Sequence, residues 1–424
     1  MKITKITEFK DNKYLTSNQK SIVFYEPKQI YLPFVDNNEQ YNSLVKLNDY
    51  VKIGQKVLIS ENSKIYLHSS ISGYVTDLNK KMWTSSGKLI TCIEIENDYK
   101  NESVIETEIN PLTRQYIINK IQECGIVGMG GAGFPTYKKY LNNNLDILIV
   151  NCCECEPFIT CDYRIIIEKT KKLIDGIKYV LKAINSSKAY IAIKEDKNEL
   201  INILYEYEDE NIKIFIVKDK YPVGYERYLV EKITRKKYGK LPSEVNCVVN
   251  NPSTILAIHD AIKSNIPLIH RLVTFTGYCL KNPINVHCKI GTPVNEVINN
   301  ICGIKHKYPK KHLIAGGVMT GKSIPSDDLI VTKSLNSVIV NPFLKNMENI
   351  KVCIGCGKCS EICPMKLTPT EIQKEYSNKN VDALLALKAI LCIQCGLCSY
   401  VCPSRIELTY FTGKAREFIR KVKK

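Results

Sequence analysis

Between about residues 30 and 100, apolar and polar positions alternate in short stretches broken by Asn, Asp and Gly. A period of two over such lengths predicts half-buried β-strands, hence an all-β module. The pattern changes from about 105 to 265. LDILIVN at 145–151 is a short apolar run of the kind a buried parallel strand needs. AYIAIKE at 189–195 and IKIFIVK at 212–218 read as further strands with a helix between them, and Ile165 to Ala183 has helical spacing. Strand and helix in alternation predict an α/β domain with a parallel sheet. Short strands return between about 268 and 320, with turns at Lys281-Asn282-Pro283 and Gly316-Gly317. After about 340, helical stretches around Thr370–Tyr376 and Val381–Leu391 separate two cysteine-rich runs. The fold class expected is a multidomain α/β plus β protein. Its divisions fall at 1–29, 30–104, 105–265, 266–340 and 341–424.

The length of 424 residues suits about three domains, and 44% apolar with 24% charged residues is a globular composition. The start, MKITKITEFKDNKY, has no apolar core of a signal peptide, and no run of apolar residues is long enough to span a membrane. The expectation is a cytoplasmic protein that reaches a membrane only through partners, on its inner face. The formal charge of +17 favours acidic partners or anionic surfaces. No nucleic-acid-binding motif accompanies it, so a nucleic-acid partner is not expected. The last fourteen residues hold six basic side chains and one Glu. Ala415, Phe418, Ile419 and Val422 lie on one helical face there, which suits a helix docked on its own domain or a partner surface.

Cysteine changes the picture most. Of eighteen cysteines, eight form two copies of one spacing. Cys353, Cys356, Cys359 and Cys363 precede Pro364; Cys392, Cys395, Cys398 and Cys402 precede Pro403. This is the bacterial ferredoxin run, in which the fourth cysteine of each run ligates the other cluster. One [4Fe–4S] cluster is therefore expected on Cys353, Cys356, Cys359 and Cys402. The other takes Cys392, Cys395, Cys398 and Cys363. Structural zinc also uses Cys-x2-Cys pairs, but it gives no reason for the x2-x2-x3 spacing followed by Pro, twice. Clusters imply a reducing compartment, not a disulfide framework.

Two loops carry further chemistry. Gly128, Gly130, Gly131, Ala132 and Gly133 form a glycine-rich stretch that lets backbone approach a ligand closely. It fits G-x-G-x-x-G by count but follows a helical stretch instead of a strand, so the dinucleotide fingerprint fails its context test. The second loop, Asn151-Cys152-Cys153-Glu154-Cys155-Glu156-Pro157, lies after a parallel strand, where α/β ligand sites form. A solvated acidic loop is the plain alternative.

VGMGGAGFPTYKKY, VNCCECEPFITCDYR, YPVGYERYL and VVNNPST, in this order ahead of two ferredoxin runs, resemble the RnfC family, the C component of the Rnf electron-transport complex. They are more distantly similar to the flavin subunit of respiratory complex I. The resemblance implies a barrel-sandwich module, a flavin-binding α/β domain, a β-grasp (SLBB-like) domain and a helical ferredoxin domain. It implies FMN as acceptor of electrons from NADH, two [4Fe–4S] clusters as one-electron exits, and Rnf membrane subunits or a ferredoxin as partners. By the same resemblance, Gly128, Gly130, Gly131, Ala132 and Gly133 would hug FMN. Phe134 and Lys139 would lie on the nicotinamide side, and Asn151, Glu154 and Glu156 would bind ribityl and nucleotide. Tyr221, Gly224 and Glu226 would face the flavin; Asn250, Asn251 and Thr254 would close the phosphate end. In the barrel-sandwich stretch HSSISG, His68, Ser69 and Ser70 stand where carrier proteins place a modifiable Lys, so no swinging arm is expected.

The departures matter. Cys152 and Cys153 replace Gly-Ala of the usual loop, Val223 and Tyr225 replace Gln and a small residue, and GGVMTG replaces Gly-Gly-Pro-Met-Met-Gly. They suggest a divergent branch, such as one serving proline reductase or cobalamin reduction. Cys152 and Cys153 are candidate redox thiols there, or simply small buried residues. A relay without an NADH site, and a scaffold with structural clusters, are the other function classes.

Overall fold

The computed structural model describes residues 10–22, 26–106, 110–308, 310–343 and 352–422. Residues 1–9 of the N-terminal segment and Lys423 and Lys424 of the basic terminus lie outside them. Two four-stranded sheets form the first module. One has the order β1 (Gln29–Pro33), β8 (Leu89–Asn97), β7 (Gly73–Trp83), β4 (Tyr50–Val51); the other is β2 (Val35–Asp36), β3 (Glu39–Ser43), β5 (Lys56–Ser60), β6 (Tyr66–His68). Ile30, Leu32, Val57, Leu58, Leu67, Val75, Ile93 and Ile95 are buried and supply the core of this two-sheet module. The HSSISG turn is buried, not displayed: Ser70 Oγ donates to the carbonyl of Ile290, 2.7 Å away.

The α/β unit is a wholly parallel sheet of order β11 (Ile212–Val217), β10 (Ala189–Lys194), β9 (Ile147–Asn151), β12 (Cys247–Asn250). Helices α1 (Arg114–Glu123), α2 (Thr136–Tyr140), α3 (Cys161–Ala183) and α4 (Asn198–Tyr205) precede α5 (Glu226–Thr234) and α6 (Pro252–Ser264). The helix after β9 and the helix after β12, α3 and α6, pack together. The helix α5 contributes Leu229 and Val230 to a separate apolar cluster with Cys153, Ala192, Val217 and Val249. Strands added after β9 go to one side and β12 returns to the other, so strand order reverses between β9 and β12. Ligand crevices form at the carboxyl ends of strands flanking such a reversal. The hydrophobic pattern does not predict the β12–α6 unit; its strand is four residues long, below the length at which periodicity speaks.

A mixed sheet follows, of order β14 (Ile284–Lys289), β13 (His270–Thr276), β17 (Ser337–Pro342), β15 (Lys311–Ala315), β16 (Lys322–Ile324), with β13 and β17 parallel and the short helix α7 (Val294–Val297) between β14 and β15. The C-terminal unit is helical: α8 (Lys358–Ile362), α9 (Pro369–Ser377), α10 (Val381–Ala386), α11 (Leu397–Tyr400), α12 (Leu408–Val422). The last helix buries Leu408, Thr412, Ala415 and Ile419 against its own domain, while Val422 is exposed. No helix among the described residues is long and apolar enough to cross a membrane.

One buried cation joins three of these units. Lys333 Nζ donates to the carbonyls of Tyr66 (2.7 Å) and Gly125 (2.6 Å). Burial pulls its pKa down to about 7, and Asp36 opposes that shift. A folded value below the unfolded one means that the unfolded chain holds this proton, and the folded chain sheds it, between about pH 7 and about pH 10. Stability from this group therefore rises with pH across that window. The urea midpoint of the native chain is expected to gain on that of Lys333→Met as pH is raised; a midpoint difference that stays constant would refute this role.

Candidate flavin and iron–sulfur sites

The glycine-rich stretch is a closed-necked loop between α1 and α2. Gly128 N donates to the Phe134 carbonyl at 2.8 Å and Thr136 N to the Ile126 carbonyl at 3.1 Å, which pins the neck. The tip carries Gly130, Gly131, Ala132 and Phe134 into solvent. Thr254, in the first turn of α6, fixes the root: its Oγ1 accepts from Met129 N (2.9 Å). Gly130 lies so close to the Asn251 side chain that a Cβ there would stand 2.9 Å from it. Gly133 has φ +65° with Asn37 against it, so it must be glycine. Gly131 is different, because a Cβ built there meets nothing within 4 Å. Its lack of a side chain has no cause inside the chain.

The acidic loop leaves β9 beside the carboxyl end of β12. Asn151 Nδ2 donates to the Gly224 carbonyl (2.8 Å), and its Oδ1 accepts from Cys153 N (3.1 Å). Gly224 has the Cys153 carbonyl where a Cβ would go. Glu154 accepts from Asp162 N (2.9 Å) and pairs with Lys13 at 3.5 Å. Asp162 accepts from Ser253 Oγ (2.8 Å) and Asn251 Nδ2 (2.5 Å); burial, then Glu154, pushes its pKa up to about 6. Asn251 also caps α6 through Ser253 N, a contact worth about 1 kcal/mol in general. Glu156 is engaged with the mixed-sheet unit, accepting from Met319 N (3.2 Å) and the Thr320 hydroxyl. Lys139 Nζ donates to the Val249 carbonyl (2.9 Å), with its pKa lowered by burial against the pull of Glu226. Asn250 Nδ2 donates to the Tyr140 hydroxyl, while its Oδ1, like Thr136 Oγ1, is buried without a partner.

Cys152 and Cys153 are both buried, on opposite sides of the sheet, one in the main core and one in the α5 cluster. Burial raises both thiol pKa values, and Cys153 Sγ lies 3.3 Å from the Ala192 carbonyl. The N-terminal segment, uninformative as sequence, clasps this loop. Lys13 donates to the Ile159 carbonyl, Asp11 O accepts from Phe158 N (2.6 Å), and Thr16 meets Thr160 at 2.7 Å. Nothing in the polar string marks Lys13; a buried lysine reveals itself only through its fold partner.

The cysteine runs meet in the C-terminal unit. A small, partly open cavity is lined by Cys363 of the first run with Cys392, Cys395 and Cys398 of the second, and by Thr409 and Thr412 of α12. Cys359 shares an apolar cluster with Cys402 and Cys398. Cys353 and Cys356 are exposed, on a loop whose Val352 and Ile354 are 87% and 70% exposed. Burial and neighbouring thiols hold Cys395 up to about 12; burial likewise holds Cys398 up to about 11, against the Thr409 hydroxyl. A cationic metal core reverses that penalty by stabilising thiolates. The thiol set and its cavity fit a four-iron cluster. The inner cavity is tied to the α/β unit and to the mixed sheet: Tyr221 Oη donates to the Cys395 carbonyl (2.8 Å), and Gly396 packs on the Met319 backbone. The open tip at Gly131 and the orphaned Asn250 Oδ1 and Thr136 Oγ1 fit a bound ligand beside the glycine loop.

Residues 3–100 match the RnfC barrel sandwich hybrid domain, 121–260 the Nuo51 FMN-binding domain and 352–406 the 4Fe-4S dicluster domain. The chain is 33% identical over 377 residues to the C component of the proton-translocating ferredoxin:NAD(+) oxidoreductase complex of Clostridium ljungdahlii, covering 85% of this chain and 81% of that one. It is 31% identical over 357 residues to the C component of the Na(+)-translocating ferredoxin:NAD(+) oxidoreductase complex of Acetobacterium woodii, covering 80% and 78%. Against the C component of the ion-translocating oxidoreductase complex of Vibrio cholerae the figures are 32%, 86% and 48%, so this chain spans about half of that relative. Among solved structures, an NAD+-reducing [NiFe]-hydrogenase superposes with TM-score 0.51 at 18% identity, over 73% of this chain and 64% of that one, a likeness of fold.

Gly131→Ala separates ligand room from internal packing. The chain has space for the methyl, so stability should hold within about 0.5 kcal/mol, as for ordinary surface changes. FMN affinity should fall at least about tenfold, near 1.4 kcal/mol. Unchanged affinity in a flavin titration would remove the tip from the site.

Proposed function

The chain belongs to the RnfC family, and from that membership we propose that it passes electrons between NADH and a protein partner through FMN and two [4Fe–4S] clusters. The observation that supports the reading is the contact of Tyr221, within the region matched to the FMN-binding domain, with Cys395, which lines the inner cysteine cavity. When bound, FMN accepts a hydride from NADH and releases its electrons singly. The protein's share is orientation. Met129 and Thr254 hold the glycine loop on α6, and Asn151 ties the acidic loop to Gly224. Lys13 and the α6 residues Asn251 and Ser253 compensate the buried carboxylates Glu154 and Asp162.

Gly128, Gly130, Gly131, Ala132 and Gly133, with Asn250, Asn251 and Thr254, are the residues proposed to hold FMN. Phe134, exposed beside them, suits the nicotinamide side. Cys392, Cys395, Cys398 and Cys363 are proposed for the inner cluster; Cys353, Cys356, Cys359 and Cys402 are proposed for the outer one. The exposed Val352 and Ile354 beside the outer set make that loop the proposed contact for a protein partner. Rnf-type membrane subunits or a ferredoxin are the partners favoured by the names of the relatives, ahead of a proline reductase. The division into 30–104, 105–265, 266–340 and 341–424 is the proposed domain scheme.

Protein purified without oxygen is expected to show flavin and iron–sulfur absorbance, both bleached by NADH. Clusters without flavin, reducible only by another protein, would leave a relay and overturn the NADH reading. A second variant addresses the thiols. Cys152→Ala with Cys153→Ala is expected to leave NADH-driven cluster reduction unchanged, because both side chains serve as buried filling. Loss of partner reduction with flavin retained would instead make them redox groups.

A further inference from the structure

One face of the C-terminal helix is aimed at the inner cysteine cavity. Thr409, Thr412 and Arg416 stand at positions i, i+3 and i+7 of α12, so they share a stripe. Each meets a different part of the proposed inner ligand set. Thr409 Oγ1 is 3.4 Å from Cys398 Sγ. Thr412 Oγ1 is 3.3 Å from Cys392 Sγ. Arg416 Nη1 donates to the carbonyl of Cys392 at 2.6 Å. The two threonines also line the cavity itself.

The donor pattern around Thr409 is directional. Ser399 Oγ donates to Thr409 Oγ1 (2.9 Å) while Ser399 Oγ accepts from Thr409 N (2.8 Å). With its oxygen already accepting from Ser399, the one hydroxyl proton of Thr409 is left for the sulfur of Cys398. Thr412 donates to the Thr409 carbonyl at 3.1 Å, so its proton is committed there and its oxygen is what faces Cys392 Sγ. Neither hydroxyl is needed to hold iron, since the four thiolates complete a cluster's ligand set. A hydroxyl that donates to a ligating sulfur does something else. It withdraws negative charge from the thiolate and so favours the more negative, reduced cluster. A guanidinium acts in the same direction.

We propose that Thr409 and Arg416 of the C-terminal helix raise the reduction potential of the inner cluster, making it a readier electron acceptor. They are tuning residues acting through Cys398 and Cys392. The described contacts give the exposed Cys353 and Cys356 no equivalent hydroxyl stripe. The proposal rests on the assignment of two clusters to this chain. That assignment fails visibly first, if native protein lacks two clusters' worth of iron and their spectral signature.

The test is an anaerobic potentiometric titration of the full chain, followed by EPR and visible absorbance, with iron counted for every variant. Thr409→Val and Arg416→Gln are expected to lower one of the two potentials and leave the other in place, at full iron content. Thr409→Ser and Arg416→Lys should stay at the native value, because hydroxyl and charge are kept. Tyr410→Phe, on the exposed side of the same helix, should change neither. The proposal is overturned if both potentials stay put at full iron, or if both shift together. It is equally overturned if the serine variant behaves as the valine one, or if valine loses iron that serine retains, which would make the hydroxyl a structural requirement.

Discussion

Lys333 occupies the seam where the barrel sandwich, the root of the glycine loop and the mixed sheet converge. An ammonium withdrawn from water is costly unless its donors are met and its charge is balanced. Here the carbonyls of Tyr66 and Gly125 accept two of them, and the buried carboxyl of Asp36 lies within electrostatic reach. Tyr66 and Gly125 come from separate units, so the donors of this amine are met only when those units sit in one register. Gly125 shows how tight that register is. Its φ is +62°, and a Cβ would meet the Tyr66 carbonyl and stand 2.6 Å from Lys333 Nζ. Arg271 extends the junction by donating to the Lys333 carbonyl (2.5 Å), while its own charge faces Asp162 in the acidic loop. The glycine loop and the acidic loop are thus referenced to one buried pair of basic side chains, Lys333 and Arg271.

The acidic loop depends on the same logic at smaller scale. Glu154 and Asp162 are adjacent carboxyls in a poorly solvated place, which favours protonation or compensation. Compensation comes from three separate segments: Lys13 of the N-terminal clasp, Asn251 and Ser253 at the start of α6, and Arg271 of the mixed sheet. A loop so tied does not need to be ordered by its ligand. That lowers the entropy cost of binding, the usual benefit of a preformed site.

How much of this is legible in the sequence differs by element. The β9 and β10 strands, α3, and the two cysteine runs announce themselves because periodicity and spacing are local properties. The gathering of Cys363 with Cys392, Cys395 and Cys398 around one cavity is what the ferredoxin spacing implies. Lys13, Lys333 and Arg271 are not legible, since a basic residue reads as solvated until its buried acceptors are known. Glu156 is legible as a site residue by resemblance, yet its carboxylate is engaged with Met319 and Thr320. Thr409 and Thr412 look like ordinary helix residues; their relation to sulfur exists only after the runs cross.

Glu156, Met319 and Gly396 explain why the two halves of the proposed electron path hold together. The carboxylate of Glu156 ends the acidic loop on the 317–320 turn of the mixed sheet, and Gly396 of the second cysteine run packs on the Met319 backbone of that turn. Gly396 has φ +83°, and a side chain there would also strike the Met319 carbonyl, so both backbone conformation and close approach require glycine. Tyr221 closes the circuit from the other side, its hydroxyl on the Cys395 carbonyl. The cysteine loop is therefore held between Tyr221 of the α/β unit and the 317–320 turn of the mixed sheet. Displacing the helical unit would break a buried tyrosine contact and a backbone-to-backbone contact together, so packing holds it against the other units. For a protein whose task is to hold a donor and an acceptor at fixed separation, that double attachment is the structural condition on which the chemistry rests.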